Sequence, residues 1–256
     1  MDSQMLVSYC GVYCDLCGAR NDTPERARSA DSSLRRLSSE GCRPRLPWGI
    51  ALNALKADPS PVLPILEQLK LDESENVRLS VSNNLNDISK DHPDVVIDVL
   101  RRWQAAHDTK EMHRLIRHAL RTLLKAGHPD ALELLGYPIA PAIAVRDLSV
   151  APRSIPMGGQ VSLSFEIVST GDAPQNLMID YVVHLVRARG QRTPKVFKLT
   201  VKTIQPGEAL RISKNVSFRP VTTRRYYPGE HVIEVKINGQ GYGRVQFTLR
   251  QGKETE

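Results

Sequence analysis

The apolar pattern of this 256-residue chain changes once, at Tyr137-Pro138, and that change constrains the fold more than any other feature. Before it, apolar residues recur at helical spacing; after it, they alternate with period two. A stripe of period 3.6 buries one side of a helix, whereas period two buries one face of a strand. One packed layer cannot serve both patterns, so the chain reads as multidomain, α and then β.

In the first part, Ser32–Glu40, Glu75–Ile88 and Lys110–Lys125 read as amphipathic helices with Arg-rich, apolar-periodic cores. Partner helices are expected at Ser60–Leu71, Pro93–Gln104 and Pro129–Leu135, the last two opening on Pro at a first helical position. Val77-Arg78-Leu79 and His113-Arg114-Leu115 lie 36 residues apart, each after a short acidic turn. Two-helix units at that period indicate HEAT-like or armadillo-like repeats, an α-α superhelix whose stacked units present a concave surface.

Strands are expected near Ile143–Val150, Gln160–Ser169, Leu177–Ala188, Lys195–Ile204, Ala209–Phe218, Glu230–Ile237 and Gly243–Leu249. Pro156–Gly159, Gly171-Asp172, Pro206-Gly207, Pro228-Gly229 and Asn238-Gly239 supply the turns between them. Seven short strands in this length indicate an immunoglobulin-like β-sandwich. The expected organisation is a Cys-rich segment at 1–31, a HEAT-like helical domain at 32–138 and the sandwich at 139–252.

Charge divides along the same line. Residues 1–138 carry 18 Lys and Arg against 19 Asp and Glu, a net −1, and residues 139–256 carry 17 against 9, a net +8. So basic a half suits either a polyanion such as nucleic acid or an idle solvated surface. No apolar run reaches membrane-spanning length and no secretory leader is visible, so a cytoplasmic monomer without a membrane partner is expected.

Four motifs carry possible chemistry. Cys10, Cys14 and Cys17 form a C-x3-C-x2-C tract, and Cys42 is the remaining thiol. Together they suit a tetrahedral zinc site, or else reduced thiols on an N-terminal appendage; no other cofactor is called for. The spacing is similar to the iron–sulfur loop of radical SAM enzymes, but no βα repeats follow. The tract Val7–Ala19 also resembles the start of a small Cys-rich bacterial family of unknown function.

The second motif, Ser38–Trp48 (SSEGCRPRLPW), ends a helix at Glu40-Gly41 and follows it with a stiff turn. Arg43 and Arg45 there suit phosphates and Trp48 suits stacking on a base or sugar; alternatively, the turn is a Pro-rich linker over a buried Trp48. Glu40 at its mouth would then be a carboxylate facing nucleic acid, an unfavourable place for an anion unless it does chemistry or meets a cation. In Val77–Ile88, a core stripe of Val77, Val81, Leu85 and Ile88 leaves Ser80, Asn83, Asn84 and Asp87 on another face, solvated or lining a groove. In the last motif, Arg114, Arg117, His118, Arg121 and Lys125 make a basic helical stripe suited to phosphates, with His118 a structural residue or a general base. The Gly-rich Asn238–Gly243 joins two strands and opens no helix, so it is a hairpin turn and not a dinucleotide loop.

Taken in order, SSEGCRPRLPW, DPSPVLPILEQLK, VRLSVSNNLNDISKDHPD and IRHALRTLLKAGHPDALELLGY resemble the C-terminal part of bacterial AlkC-type DNA alkylation repair proteins, from about Leu34 to Tyr137. One AlkC branch carries a C-terminal immunoglobulin-like domain, which fits residues 141–250. The resemblance implies a HEAT-like DNA glycosylase that binds double-stranded DNA and excises cationic bases such as 3-methyladenine and 3-methylcytosine without fully flipping them. It places the acidic groove residues on Glu40 and Asp87, which would stabilise an oxocarbenium-like sugar, with Arg43, Arg45, Trp48, Arg117, His118 and Arg121 on the DNA. Typical members have further upstream repeats with another acidic motif, where this chain has the Cys-rich segment. They also have Arg, His and Trp where Leu79, Asn84 and Arg114 stand. Those departures leave open a truncated homologue, a non-catalytic DNA-binding or scaffold protein of the same fold, or a zinc-dependent interaction module.

Overall fold

The computed structural model describes residues 23–47, 49–222 and 225–251, which divide into two compact units at Ala126/Gly127. The helical unit contains α1 (Thr23–Arg26), α2 (Ser32–Glu40), α3 (Asn53–Ala57), α4 (Leu63–Leu69), α5 (Glu75–Ile88), α6 (Pro93–Ala106), α7 (Lys110–Ala119) and α8 (Arg121–Ala126). The start of α2 is set by Asp31, whose carboxylate accepts from the Ser33 N–H at 2.8 Å. Thr109 caps α7 in the same way, accepting from the Met112 N–H, and Pro93 occupies the first turn of α6.

Helix α5 is the centre of this unit and packs against both α2 and α7. Its stripe of Val77, Val81, Leu85 and Ile88 is fully buried, each side chain contributing about 1.5–3 kcal/mol by leaving water. A single buried charge at Leu85 would break that seam. The expected helix Lys110–Lys125 is two pieces, because the chain turns at Leu120 (φ −85, ψ 1). Arg121 Nη1 donates to the His118 carbonyl at 2.8 Å, satisfying an acceptor which that break leaves without a helical partner.

The second unit begins with α9 (Pro129–Leu134) and continues into β1 (Ile143–Ala151), β2 (Ser154–Pro156), β3 (Gln160–Ser169), β4 (Gln175–Val186), β5 (Arg192–Ile204), β6 (Ala209–Ser217), β7 (Gly229–Ile237) and β8 (Gln240–Arg250). Side-chain amides hold α9's exit to the sheet: Asn176 Nδ2 donates to the Gly136 carbonyl and Asn238 Nδ2 to the Pro138 carbonyl. One sheet runs β1-β3-β6 and the other β2-β8-β7-β4-β5, all neighbours antiparallel except β2 and β8. The core between them comes from alternate positions, Val161, Leu163, Phe165 and Ile167 of β3 among them, with Ile233, Val235 and Ile237 of β7.

The β7–β8 hairpin turns on Asn238 (φ 47) and Gly239 (φ 79), the left-handed pair that a two-residue turn requires. A Cβ on Gly239 would lie 2.3 Å from the Gly127 Cα, so this turn also admits close backbone approach. The expected strands are present, together with β2, whose three residues are too few to alternate visibly. Among the described residues, no helix is long and apolar enough to cross a membrane.

Candidate functional site

Glu40 is the last residue of α2, and Asp87 lies in the last turn of α5. The packing of those two helices brings both carboxylates to one guanidinium. Arg43 donates from Nε (2.9 Å) to Asp87 Oδ2 and from Nη1 (2.6 Å) to Glu40 Oε1. Its Nη2 lies 2.8 Å from Asp87 Oδ2. The Arg43 side chain is 7% exposed and that of Asp87 3%, so this pair is held in a largely dry environment. Burial opposes the charge on Arg43, yet its bonds and charge contacts to Glu40 and Asp87 outweigh that and raise its pKa.

The remaining oxygens are also engaged. Ser39 Oγ donates to Ser80 Oγ at 2.7 Å, and Ser80 Oγ donates to Glu40 Oε2 at 2.9 Å. Both serines are buried, so this short hydroxyl chain fixes the Glu40 rotamer from below. Lys90 Nζ lies 2.9 Å from Asp87 Oδ1. Asn84 Nδ2 donates to the Ser39 carbonyl and to Cys42 Sγ, tying the end of α2 to α5, while Asn84 Oδ1 is buried without a hydrogen bond.

A second polar group adjoins the carboxylates. Asn83 Oδ1 accepts from Arg121 Nη2 at 3.0 Å and from His118 Nε2 at 2.9 Å, which assigns the proton of His118 to Nε2. Burial, then the neighbouring Arg121 charge, lowers the pKa of His118, so the ring is neutral at pH 7. Burial lowers the Arg121 pKa; the charge of Asp87 raises it and that of Arg43 adds to the lowering, which places all three in one electrostatic site.

The expected residues therefore separate. Glu40, Asp87 and Arg43 come together, with His118 and Arg121 beside them. Arg45 is apart, held by Asp91 at 2.6 Å and about one-third exposed. Arg117 is exposed on α7. Cys42 is buried, its Sγ donating to the Ser38 carbonyl at 3.1 Å. Cys10, Cys14, Cys17 and Trp48, the other expected metal-ligating and stacking residues, lie outside the described residues. Among the described residues, no group of three His, Cys, Asp or Glu is placed to hold a metal ion. Ser80 and Asn83 show in the sequence as a polar face; Lys90 does not stand out there, although Asp87–Lys90 has the i, i+3 spacing of a helical ion pair.

The sandwich has a cleft of its own, about 540 Å³, lined by Arg153, His184, Arg192 and Arg244 beside Leu148 and Val232. Two of the lining cations are paired: Glu234 accepts from His184 Nε2 at 2.8 Å and lies 3.2 Å from Arg244 Nη2, and Glu230 pairs with Arg192. Cations exceed carboxylates there, so the cleft favours an anion.

Known proteins similar to this chain cover both of its units. Residues 144–251 match the family described as "Uncharacterised protein YhaZ, C-terminal Ig-like domain". The uncharacterized protein YhaZ of Bacillus subtilis is 49% identical over 216 residues, 84% of this chain and 59% of that protein. A Pseudomonas fluorescens alkylpurine DNA glycosylase AlkC, solved bound to DNA containing an abasic site analog, superposes with a TM-score of 0.86 at 39% identity. The chain is AlkC-like. Its helical part and immunoglobulin-like part follow the AlkC order over 89% of this chain and 63% of the AlkC chain. It spans less than two thirds of either relative.

Proposed function

We propose that this AlkC-like chain acts in DNA alkylation repair, as a glycosylase that removes cationic alkylated bases of the 3-methyladenine and 3-methylcytosine class from double-stranded DNA. The observation that carries the reading is the pair of carboxylates, Glu40 and Asp87, delivered from two helices to one buried guanidinium. The packing of α2, α5 and α7 supports a HEAT-like arrangement whose groove would receive the duplex.

The chemistry asks little of a general acid. An N3-methylated base is already cationic, so breaking its bond to C1′ releases a neutral base and leaves positive charge on the sugar. A carboxylate near C1′ stabilises that oxocarbenium character, and water then forms the new C1′–O bond while its proton passes to the carboxylate or to solvent. In this reading Arg43 does not reach a phosphate. It holds both carboxylates in place. Arg45, Arg117 and Arg121 are the phosphate contacts of the helical unit, His118 with its neutral ring positions Arg121 through Asn83, and the sandwich cleft adds contacts to the backbone.

Incubating the protein with methylated duplex and measuring free 3-methyladenine and 3-methylcytosine tests the proposal. Release is expected, and its absence at enzyme excess over lesions would overturn the catalytic part. One observation favours a second reading, a non-catalytic DNA-binding protein: all four carboxylate oxygens already accept from protein donors. Duplex binding without release would establish that alternative.

A further inference from the structure

The four oxygens of Glu40 and Asp87 are not covered by equivalent groups. Asp87 Oδ2 and Glu40 Oε1 are held by Arg43, and Glu40 Oε2 is held by Ser80. Both donors are buried and fixed by further packing. Asp87 Oδ1 is covered by Lys90 alone among the described residues, and Lys90 is the exposed member of the set, with 36% of its side chain in solvent. Lysine has a flexible stem and a point charge, so this contact is the one that opens without disturbing a helix. A pair of this exposure is worth at most about 1 kcal/mol, which makes it exchangeable.

Charge determines what can take its place. The directly bonded set, Glu40, Asp87, Arg43 and Lys90, has formal charges that cancel, and the Arg121 charge reaches Asp87 from beside it. A cation that displaces the Lys90 ammonium leaves the charge of the site unchanged. A neutral group that displaces it leaves Asp87 Oδ1, on a side chain 3% exposed, without a charged donor of its own, which is costly. We infer that Lys90 is a stand-in cation, occupying the Asp87 oxygen which the positively charged sugar or base takes, and that its departure makes the site selective for positive charge. The inference rests on the glycosylase reading for the identity of the incoming cation, and on the geometry for the exchange itself.

Two DNA duplexes that differ in one atom test it. One carries a pyrrolidine abasic nucleotide, protonated at neutral pH and so a mimic of the cationic sugar; the other carries the neutral tetrahydrofuran nucleotide. The ratio of their dissociation constants cancels every phosphate contact that the two complexes have in common. In Lys90→Met the ammonium no longer competes, and preference for the cationic duplex rises about five-fold over wild type, the size of one exposed ion pair. Lys90→Arg, which keeps a cation, stays near the wild-type ratio. An unchanged or lower ratio in Lys90→Met, with both duplexes still bound, would overturn the exchange while leaving the glycosylase reading intact. Equal wild-type affinity for the two duplexes, or affinity for neither, would overturn that reading and the exchange with it.

Discussion

Replacing Arg43 with Met removes one guanidinium and strands two carboxylates, and the size of the effect follows from their burial. Asp87 is 3% exposed and loses both of its bonds to Arg43, retaining Lys90; Glu40 is 23% exposed and retains Ser80. Breaking a buried pair from one side costs about 3–5 kcal/mol. The solvent open to Glu40 and the surviving Lys90 contact place Arg43→Met at the lower end, about 3 kcal/mol. Asp87→Asn alone leaves Arg43 with Glu40 and costs about 2 kcal/mol. The double variant, in which the stranded charge at position 87 is gone, costs about 3 kcal/mol in total and not the sum, a coupling of about 2 kcal/mol. Both tryptophans, Trp48 and Trp103, lie before residue 127, so urea titration followed by fluorescence reports the helical unit selectively. Strict additivity, or a cost below about 1 kcal/mol for Arg43→Met, would refute the placement of Arg43 between the carboxylates.

Two pH dependences follow from other groups. Burial acts to raise the Asp72 pKa, but the hydrogen bond and charge of Arg35, with the Ser74 N–H and Arg78, outweigh it and hold the carboxyl below its ordinary value. Its stabilisation is present above the unfolded value of about 3.9 and is lost as pH falls through the folded one. Asp72→Asn is therefore less stable than wild type at pH 7, and the difference closes below about pH 4 in melts at several pH values. In the sandwich, the buried His231 ring donates from Nε2 to the Tyr227 carbonyl at 3.0 Å and its Nδ1 faces the Val186 N–H. Burial lowers its pKa, the Arg192 charge adds to that, and the Tyr227 bond opposes it. The unfolded chain then binds the proton more readily, so stability present above about pH 6.5 is lost as pH falls through the folded value. His231→Phe, which keeps the stacking on Phe247, flattens that part of the profile in near-ultraviolet melts at pH 7 and pH 5.

The parts of the fold that were legible are those where one local rule acts alone. Ser32–Glu40 shows its cap at Asp31 and its Gly at position 41, and Glu75–Ile88 shows an uninterrupted stripe. Asn238-Gly239 can turn a hairpin in only one way. The break at Leu120 was not legible, because Arg121 replaces a helical bond with a side-chain one and leaves the apolar spacing intact. Helix α3 is too short to display a period.

The site was legible as residue types but not as contacts. Spacing puts Asp87 on the polar face of its helix, yet nothing local brings Arg43, 44 residues earlier, to its Oδ2. The guanidinium that sequence alone assigns to phosphate is occupied by two carboxylates, a difference visible only once α2 and α5 are packed together.

The most direct test is the single-turnover rate of base release from methylated duplex at saturating protein, compared among wild type, Glu40→Gln and Asp87→Asn. Wild type is expected to release 3-methylated bases, and each variant to lose about 100-fold or more in rate while still binding the duplex, since each substitution removes charge that acts on the transition state. Rates in both variants within about threefold of wild type would contradict the assignment of Glu40 and Asp87 to the chemistry.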